Sequence, residues 1–497
     1  MNRPNILYIM ADQFRGDALS CVGKVGHTPN LDALASEGVC FTNCNTVAPL
    51  CVPARISIMT GKYPHDTTAW DNAIYILDPK ADLWTKEIKK QGYESSLIGK
   101  THLHSDYGDM TVYEPVINDY GFDFVNEISG PHSTCDTRTH MSDWWKEEGV
   151  LDSYVEDMLQ RTYPFAKSSP LDEEHYYDTY VGEQGAKWLR NHKEVNKSGE
   201  GKPWFLHVSF GGPHEPWDAP EPYASMYPLE DMKKPLPPFA DEYDRPKGLY
   251  DEIGAKPKNR VDEKTALELR QNYLGSCTLI DKKLGEIFDV IKERGEWDNT
   301  VVLFVSDHGD LNGDHGFAKK RNYFEGALNV PLIIKAPGTK DLKEHFCSSL
   351  VSNIDVGPTL AELAGAKVPG ESFARSLVPL LNDKAIKDGL EIRGYSISEL
   401  SGEYMYKDHE WKIVLNKDKE VYYMFHIGED PDELVNLAGH PDYIQTREEL
   451  RKRLLDLISE NTCKNPGKYD MPPVAGHGDF NAFVKSAEHG DAQKKGI

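Results

Sequence analysis

Five apolar runs of strand length recur along this chain and alternate with helical segments, which narrows what it can fold into more than any other feature. The runs are NILYIM from Asn5 to Met10, SSLIG before Lys100, PWFLHVSF before Gly211, TVVLFVS before Asp307 and VPLIIKA before Pro337. Between them lie helix-like stretches. One is TPNLDALASEG, with Thr28 placed to cap it, Pro29 in the first position and Gly38 at the end. Others run from Ile280 to Arg294 and around Pro358 to Leu363. Continuous apolar strands have both faces buried. The alternation therefore predicts an α/β fold with a large, mixed, mostly parallel sheet sandwiched by helices.

Two regions break the rhythm. From Pro213 to about Lys258 the chain is rich in Pro, Tyr, Asp and Glu, an irregular excursion suited to walling a pocket. After Leu381 the apolar period falls to two, in EYMYKDHEWKIVLN and KEVYYMFHIG, and the helix TREELRKRLLDLISEN follows. This predicts a main α/β domain over residues 1–381 and a small subdomain over 382–497 made of an antiparallel sheet plus helix. Its polar, Gly/Pro-rich tail from Lys464 onward is expected to be only partly ordered.

The charge balance is 56 basic against 80 acidic residues, a net −24, which makes nucleic acid and anionic membrane poor partners. An anionic substrate needs its basic groups gathered in one pocket. No run is long enough to span a bilayer. The first apolar run ends at Asp12 without a small-residue cleavage site, so it reads as a strand rather than a signal peptide, and Met1 argues against a processed export signal. Eight cysteines without a CxxC pair fit a reduced, cytoplasmic protein.

Ligands of open parallel sheets bind beyond the carboxyl ends of the strands. Polar clusters fall there: Asp12-Gln13, Lys100-Thr-His102, Pro213-His214-Glu215 and Asp307-His308-Gly-Asp310. In PLCVPARISIMTGKYP, Pro49 to Pro64, Cys51 stands immediately before a Pro-Ala-Arg that reads as the first turn of a helix ending at Gly61. Free N–H groups and the helix dipole favour negative charge there, and Arg55 adds a fixed positive one. Singly, each residue has an ordinary reading: Cys51 as a buried hydrophobe, Asp12 and Asp307 as caps, Lys100 and His102 as surface groups, His214 as a turn residue. His104, Asp314 and His315 keep theirs, as surface or loop residues. The convergence of the others on one rim carries the inference.

CVPAR resembles the C-x-P-x-R signature of the type I, formylglycine-dependent sulfatases, whose fold is alkaline-phosphatase-like. The similarity continues through TGKYPH, GKTH, SDHGD and KRNYFEGALNVPLIIKAPG to SNIDVGPTLAELAG and DPDELVNLAG, in the family's order, from about Asn5 to Asn436. The resemblance implies that Cys51 becomes formylglycine, whose hydrated aldehyde supplies one hydroxyl for attack on sulfur and a second whose deprotonation expels sulfate. It implies a divalent metal held by Asp12, Gln13, Asp307, His308 and an oxygen of modified Cys51. It gives Arg55 and Lys100 the diol and sulfate oxygens, His102 the proton of the second hydroxyl, and His214 and Lys320 the ester oxygen. A formylglycine-generating enzyme is implied as a partner, reading Pro53 and Arg55. The substrate implied is a small anionic sulfate ester, a sulfated sugar or another small organic sulfate.

Two positions depart from the commoner family pattern, Gln13 where an Asp is usual and His308 where Asn is frequent. Imidazole suits manganese or zinc better than calcium, the family's usual ion. Gln and His here also resemble phosphonate monoester hydrolases and phosphodiesterases of the same superfamily, the alternative function. Lys100 and His102 resemble the sulfatase pair instead. A catalytically silent binding relative is expected to have lost part of the set, and none is lost. Trp70, Asp71 and Asn72, just past the Cys51 helix, are candidates to reach the substrate.

Overall fold

The computed structural model describes residues 3–72, 76–162, 164, 166–193, 201–254, 256 and 260–464. The predicted strands form in chain order. β1 (Asn5–Ala11) leads to α1 (Pro29–Glu37), β2 (Val39–Phe41) and α2 (Cys51–Thr60). Next come β3 (Glu94–Lys100), β4 (Phe124–Ile128), α3 (Tyr177–Asn191) and β5 (Trp204–Phe210). The long α4 (Glu263–Glu293), β6 (Thr300–Ser306), β7 (Leu332–Lys335), β8 (Phe346–Cys347) and α5 (Val356–Leu363) complete this part. One eight-stranded sheet has the order β8-β2-β7-β6-β1-β5-β3-β4. Every pairing in it is parallel except those of β7, which runs antiparallel to both β6 and β2.

β1 sits between β5 and β6 and is buried along its whole length, as its unbroken apolar run requires. Its alternate residues feed two cores. Leu7 and Ile9 join one with the α3 and α4 side chains, while Ile6, Tyr8 and Met10 join the other with Ile56, Ile58 and Leu360.

Three local expectations are corrected. The helix expected from Ile280 to Arg294 is the second half of α4, which begins at Glu263 after an Asp262 side chain caps Thr265 N. Its first half is masked in sequence by Gly275, where a Cβ would lie 2.1 Å from the Tyr223 carbonyl oxygen; glycine permits that backbone approach. Thr28 does hold the cap position of α1, but its hydroxyl accepts from Ser20 N at 2.9 Å instead. The free N–H groups of Asn30 and Leu31 go to the Asp281 carboxylate, a cap supplied by α4. And α2 begins at Cys51, with Leu50 as its cap residue, so Pro53 is its third residue rather than its first. The third N–H has no acceptor within a helix, so proline costs nothing there.

The late two-residue alternation becomes a four-stranded antiparallel sheet of β9 (Ser396–Leu400), β10 (Glu403–Lys407), β11 (Trp411–Leu415) and β12 (Val421–His426), followed by α6 (Ile444–Glu460). A buried ion network ties it to the segment after Lys320. Lys412 Nζ reaches Glu325 and Glu433 at 2.5 Å each and the Tyr323 carbonyl at 3.1 Å, and Lys407 joins Glu325 at 2.8 Å. The excursion after Pro213 carries only short helical turns among the described residues, the longest being Leu249–Gly254. Residues 255 and 257–259 of it, and the tail from residue 465 expected to be partly ordered, lie outside the described residues.

Candidate active site

β1 and β6 lie side by side and in parallel, so the residues following each arrive together at one rim. Asp12, Cys51, Asp307 and His308 are all buried, and one ligand atom from each lies within 4.8 Å of the other three. The Cys51 Sγ is 3.0 Å from His308 Nε2 and 3.7 Å from Asp12 Oδ1. His308 Nδ1 faces the Gly309 carbonyl at 3.0 Å, which turns Nε2 toward the cluster. Burial alone would keep this imidazole neutral, but Asp307 and Cys51 push its pKa up to about 9. The four atoms thus form a pocket that seeks positive charge.

Arg55 and Lys100 hold the outer faces of the two carboxylates. Arg55 Nε donates to Asp307 Oδ2 at 2.7 Å, and its other nitrogens reach Asp12 Oδ2, Ser209 Oγ and the Lys100 carbonyl. Lys100 Nζ lies 2.7 Å from Asp12 Oδ2. Burial opposes the Asp12 charge, yet Lys100, His214, Arg55 and His308 hold its carboxyl well below the usual range. Burial and Asp12 likewise oppose ionisation of Cys51, but Lys320, His308 and His102 bring its thiol well below the ordinary thiol range.

A second group faces the first. Lys320 Nζ lies 2.6 Å from His214 Nε2 and 3.3 Å from Glu215 Oε2, and Lys319 reaches Glu215 at 3.0 Å. Burial disfavours the Glu215 charge, but His214, Lys320 and Lys319 hold its carboxyl well below the usual range. Lys320 also donates to the Gln13 side-chain oxygen, while the Gln13 amide nitrogen donates to Asp310. Of the residues read as metal ligands, Gln13 therefore stands apart: its backbone N donates to Asp307 Oδ1 at 3.0 Å, but its amide oxygen is engaged by Lys320.

His102 sits with φ 52° and Gln13 with φ 70°, left-handed backbone that costs a non-glycine residue on the order of 1 kcal/mol or more. His102 Nε2 lies 3.2 Å from Asp106 Oδ2. Two adjoining cavities reach the chain neighbours of Cys51, one at Leu50 and the other at Val52. One, of about 500 Å³, is lined by Leu50, Lys320, Arg321, Tyr250 and Phe317. The other, of about 390 Å³, is lined by Val52, Lys100, His102, Asp106 and His132. Asn72 and His214 line both.

Every sequence candidate thus lies at this rim. Of the further three, Asn72 accepts from Val52 N at 3.1 Å, Asp71 pairs with Arg321, and Trp70 packs edge-on against Tyr404 at 6.1 Å. Asp314 and His315, read as ordinary loop residues, are buried: Asp314 bridges Arg15 and Arg270, and His315 stacks on Phe324 at 3.9 Å. His104, read as a surface histidine, is buried on Glu127 at 2.7 Å. Sequence reasoning gave no role to Glu215, Asp106 or Arg321. Glu215 and Arg321 adjoin His214 and Lys320 in the chain, and Asp106 follows His102 by four; adjacency to known candidates was the available signal.

A rim of this kind, with basic groups and buried carboxylates at the strand ends of a mostly parallel sheet, defines an alkaline-phosphatase-like hydrolase of anionic esters. The Sulfatase family model matches residues 4–366, and one described as N-sulphoglucosamine sulphohydrolase, C-terminal, matches residues 313–460. The chain belongs to the sulfatase family and is a sulfuric ester hydrolase. It is 30% identical over 475 residues to an arylsulfatase of Clostridium perfringens, covering 91% of this chain and 94% of that one. It is 31% identical over 461 residues to a choline-sulfatase of Rhizobium meliloti, covering 88% and 83%. Among solved structures, the phosphonate monoester hydrolase of Agrobacterium radiobacter superposes with TM-score 0.74 at 26% identity, covering 92% of this chain and 96% of that one.

Proposed function

We propose that the chain is a formylglycine-dependent sulfatase acting on a small organic sulfate ester, such as a sulfated sugar, with Cys51 as the residue converted. The observation that carries this is the gathering of Asp12, Asp307 and His308 around the first side chain of α2. Asp12, Asp307, His308 and an oxygen at position 51 fit a divalent cation. Two carboxylates and a converted side chain suit calcium, and the imidazole suits manganese or zinc. Such an ion supplies Lewis-acid polarisation of the sulfate when bound.

The chain's own groups divide the remaining work. Lys100 and Arg55, both buried, offset charge on the sulfate oxygens. His214 and Lys320, 2.6 Å apart, face the ester oxygen and supply a proton or a charge as it departs. His102 takes the proton whose removal frees sulfate from position 51. The aromatic and polar lining around Tyr250 and Phe317 receives the leaving group. Because Cys51 and Arg55 are almost fully buried, a maturation enzyme that reads CVPAR acts on the chain before it folds. A cytoplasmic setting is supported by eight unbridged thiols.

Hydrolysis of phosphonate monoesters or phosphodiesters is the second reading. It is favoured by the two adjoining cavities that share Asn72 and His214, since such a substrate carries two substituents where a sulfate ester carries one. Lys100 favours sulfate, whose three non-bridging oxygens share the developing charge.

The deciding experiment is mass spectrometry of the Cys51 peptide after co-expression with a maturation enzyme, paired with turnover of an aryl sulfate and an aryl phosphonate. The expected result is an aldehyde at position 51, preference for sulfate, and loss of nearly all turnover in a folded Cys51→Ala variant. An unmodified thiol in a fully active protein overturns the mechanism; preference for phosphonate over every sulfate tried promotes the second reading.

A further inference from the structure

His102 is held at one ring nitrogen and left open at the other. Its Nε2 lies 3.2 Å from Asp106 Oδ2, and the same oxygen accepts from Ser133 Oγ at 2.6 Å. Asp106 is therefore itself oriented. The other ring nitrogen, Nδ1, is buried without a hydrogen-bond partner, and His102 is near enough to Cys51 to help lower its thiol pKa. A neutral imidazole has one N–H and one lone pair. With the N–H at Nε2 committed to a carboxylate, the lone pair is at Nδ1, the nitrogen left without a partner.

The surrounding chain fixes this arrangement. The residues flanking His102 are anchored to Glu127 of β4, which accepts from the Thr101 hydroxyl and pairs with His104 Nε2 at 2.7 Å. Leu103 N in turn donates to Thr101 Oγ1. The left-handed φ of His102 is thus imposed from both neighbours. Opposite, a Cβ on Gly130 would stand 3.1 Å from Lys100 Nζ and 3.5 Å from Asp106 Oδ2, so the missing side chain lets the ring, the carboxylate and the lysine share one corner.

We propose that Asp106 is a positioning residue for the release step: it holds His102 as the Nε2–H form, so that Nδ1 is the nitrogen offered to the side chain at position 51. This rests on the reading of Cys51 and His102 given above. In that step the O–H bond of the hydroxyl at position 51 breaks and its proton goes to Nδ1. The O–H electrons become the second bond of the carbonyl, the C–O bond to sulfate breaks, and sulfate leaves with that electron pair. Asp106 keeps its charge throughout and stabilises the imidazolium that forms, the part a buried aspartate takes beside a catalytic histidine.

The test uses full-length enzyme, matured and unmatured, with Asp106→Ala and Asp106→Asn. On unmatured protein, ring 15N NMR of His102 at a pH where it is neutral is expected to show the proton on Nε2 in the wild type and its loss from that nitrogen in Asp106→Ala. On matured protein, Asp106→Ala is expected to lower kcat for an aryl sulfate about a hundredfold, with KM changed less than about threefold. The first turnover stays fast, so a burst of aryl alcohol precedes the slow phase and the Cys51 peptide carries sulfate. Asp106→Asn keeps the size of the side chain, but its amide NH₂ can turn toward Nε2 and favour the Nδ1–H form. It should lose the proton from Nε2 and lower kcat at least as far as the alanine variant, as an amide does beside a catalytic histidine, and it decides the matter if the alanine variant does not fold.

A wild-type proton on Nδ1, an unchanged kcat in Asp106→Asn, or equal loss of burst and turnover in Asp106→Ala overturns the proposal. Cys51→Ala assayed alongside separates the two readings. If it retains turnover, the assignment of Cys51 falls; if it is inactive while the Asp106 variants are unimpaired, only the role of Asp106 falls.

Discussion

Around Cys51 the polar groups stand at the ends of sheet strands, whereas the wall of the larger cavity comes from loops and one short helix, Leu249–Gly254. Asp12 follows β1, Asp307 and His308 follow β6, and Lys100 ends β3, each strand buried and paired on both sides. Their side chains have few ways to move, and the charges among them are satisfied at 2.7 to 3.3 Å. Across the cavity, Leu249, Tyr250 and Glu252 come from the excursion after Pro213, and Phe317 and Arg321 from the loop between β6 and β7. That side is braced from behind by Lys412 on Glu325 rather than by sheet hydrogen bonds. On the function proposed above, chemistry that requires fixed charges falls on the strand-end side, and adaptation to a leaving group on the other.

If this division holds, the largest loss follows from Asp307→Asn. The Asp307 Oδ1 accepts from Gln13 N and His308 N, which an amide oxygen can also do, but Oδ2 accepts from Arg55 Nε at 2.7 Å. In the variant an amide NH₂ meets that donor and one negative charge is gone beneath Cys51. Metal content by elemental analysis is expected to fall to background, and kcat/KM by about a thousandfold or more. Retention of both would mean that the buried carboxylates are structural.

Next in size is Lys100→Ala. Its ammonium stands 2.7 Å from Asp12 and lines the smaller cavity. The expected loss of kcat/KM for an aryl sulfate is about a hundredfold, the effect of removing one charge-stabilising donor. For an aryl phosphonate the loss should be much smaller, because a substituent replaces one of the oxygens that Lys100 holds. Equal losses would make Lys100 an organiser of Asp12 and move the sulfate preference elsewhere.

The same division governs what was legible in the sequence. β1, β5 and β6 could be read because a strand buried on both faces leaves an unbroken apolar run, and the residue that ends the run is then at the rim. Cys51 was legible because a Pro-containing turn and Gly61, with φ 68°, frame a helix. The first half of α4 was not, since Gly275, required where the helix meets the Tyr223 carbonyl, interrupts its apolar pattern. His104 shows a related loss: alone it reads as a surface histidine, and only the pairing of β4 beside β3 brings Glu127 to it. The larger cavity was hardest. Tyr250, in a six-residue helix, and Phe317 and Asn72, in irregular backbone, are far apart in the chain and share no periodicity, so only the fold reveals that they face one space.

The smallest effect expected comes from the rim of that cavity, at the pair Asp71–Arg321. Both side chains are substantially exposed, 47% and 39%, so the pair is screened by solvent and contributes no more than about 1 kcal/mol to stability. Arg321 follows Lys320 and lines the cavity, while Asp71 precedes Asn72, so the pair bridges the two segments that frame the leaving-group side. Neither residue touches the cluster around Cys51. Asp71→Ala and Arg321→Ala should therefore shift thermal unfolding by no more than that small stability difference and leave kcat for a small aryl sulfate within about twofold. KM for substrates with larger leaving groups should change severalfold, and more in Arg321→Ala than in Asp71→Ala, because Arg321 also removes a cation from the cavity lining. Raising the salt concentration should shrink the wild-type advantage, since an exposed pair loses its attraction as the Debye length shortens. A large fall in kcat with the small substrate would break the division between the two sides, by making the rim part of the reaction centre.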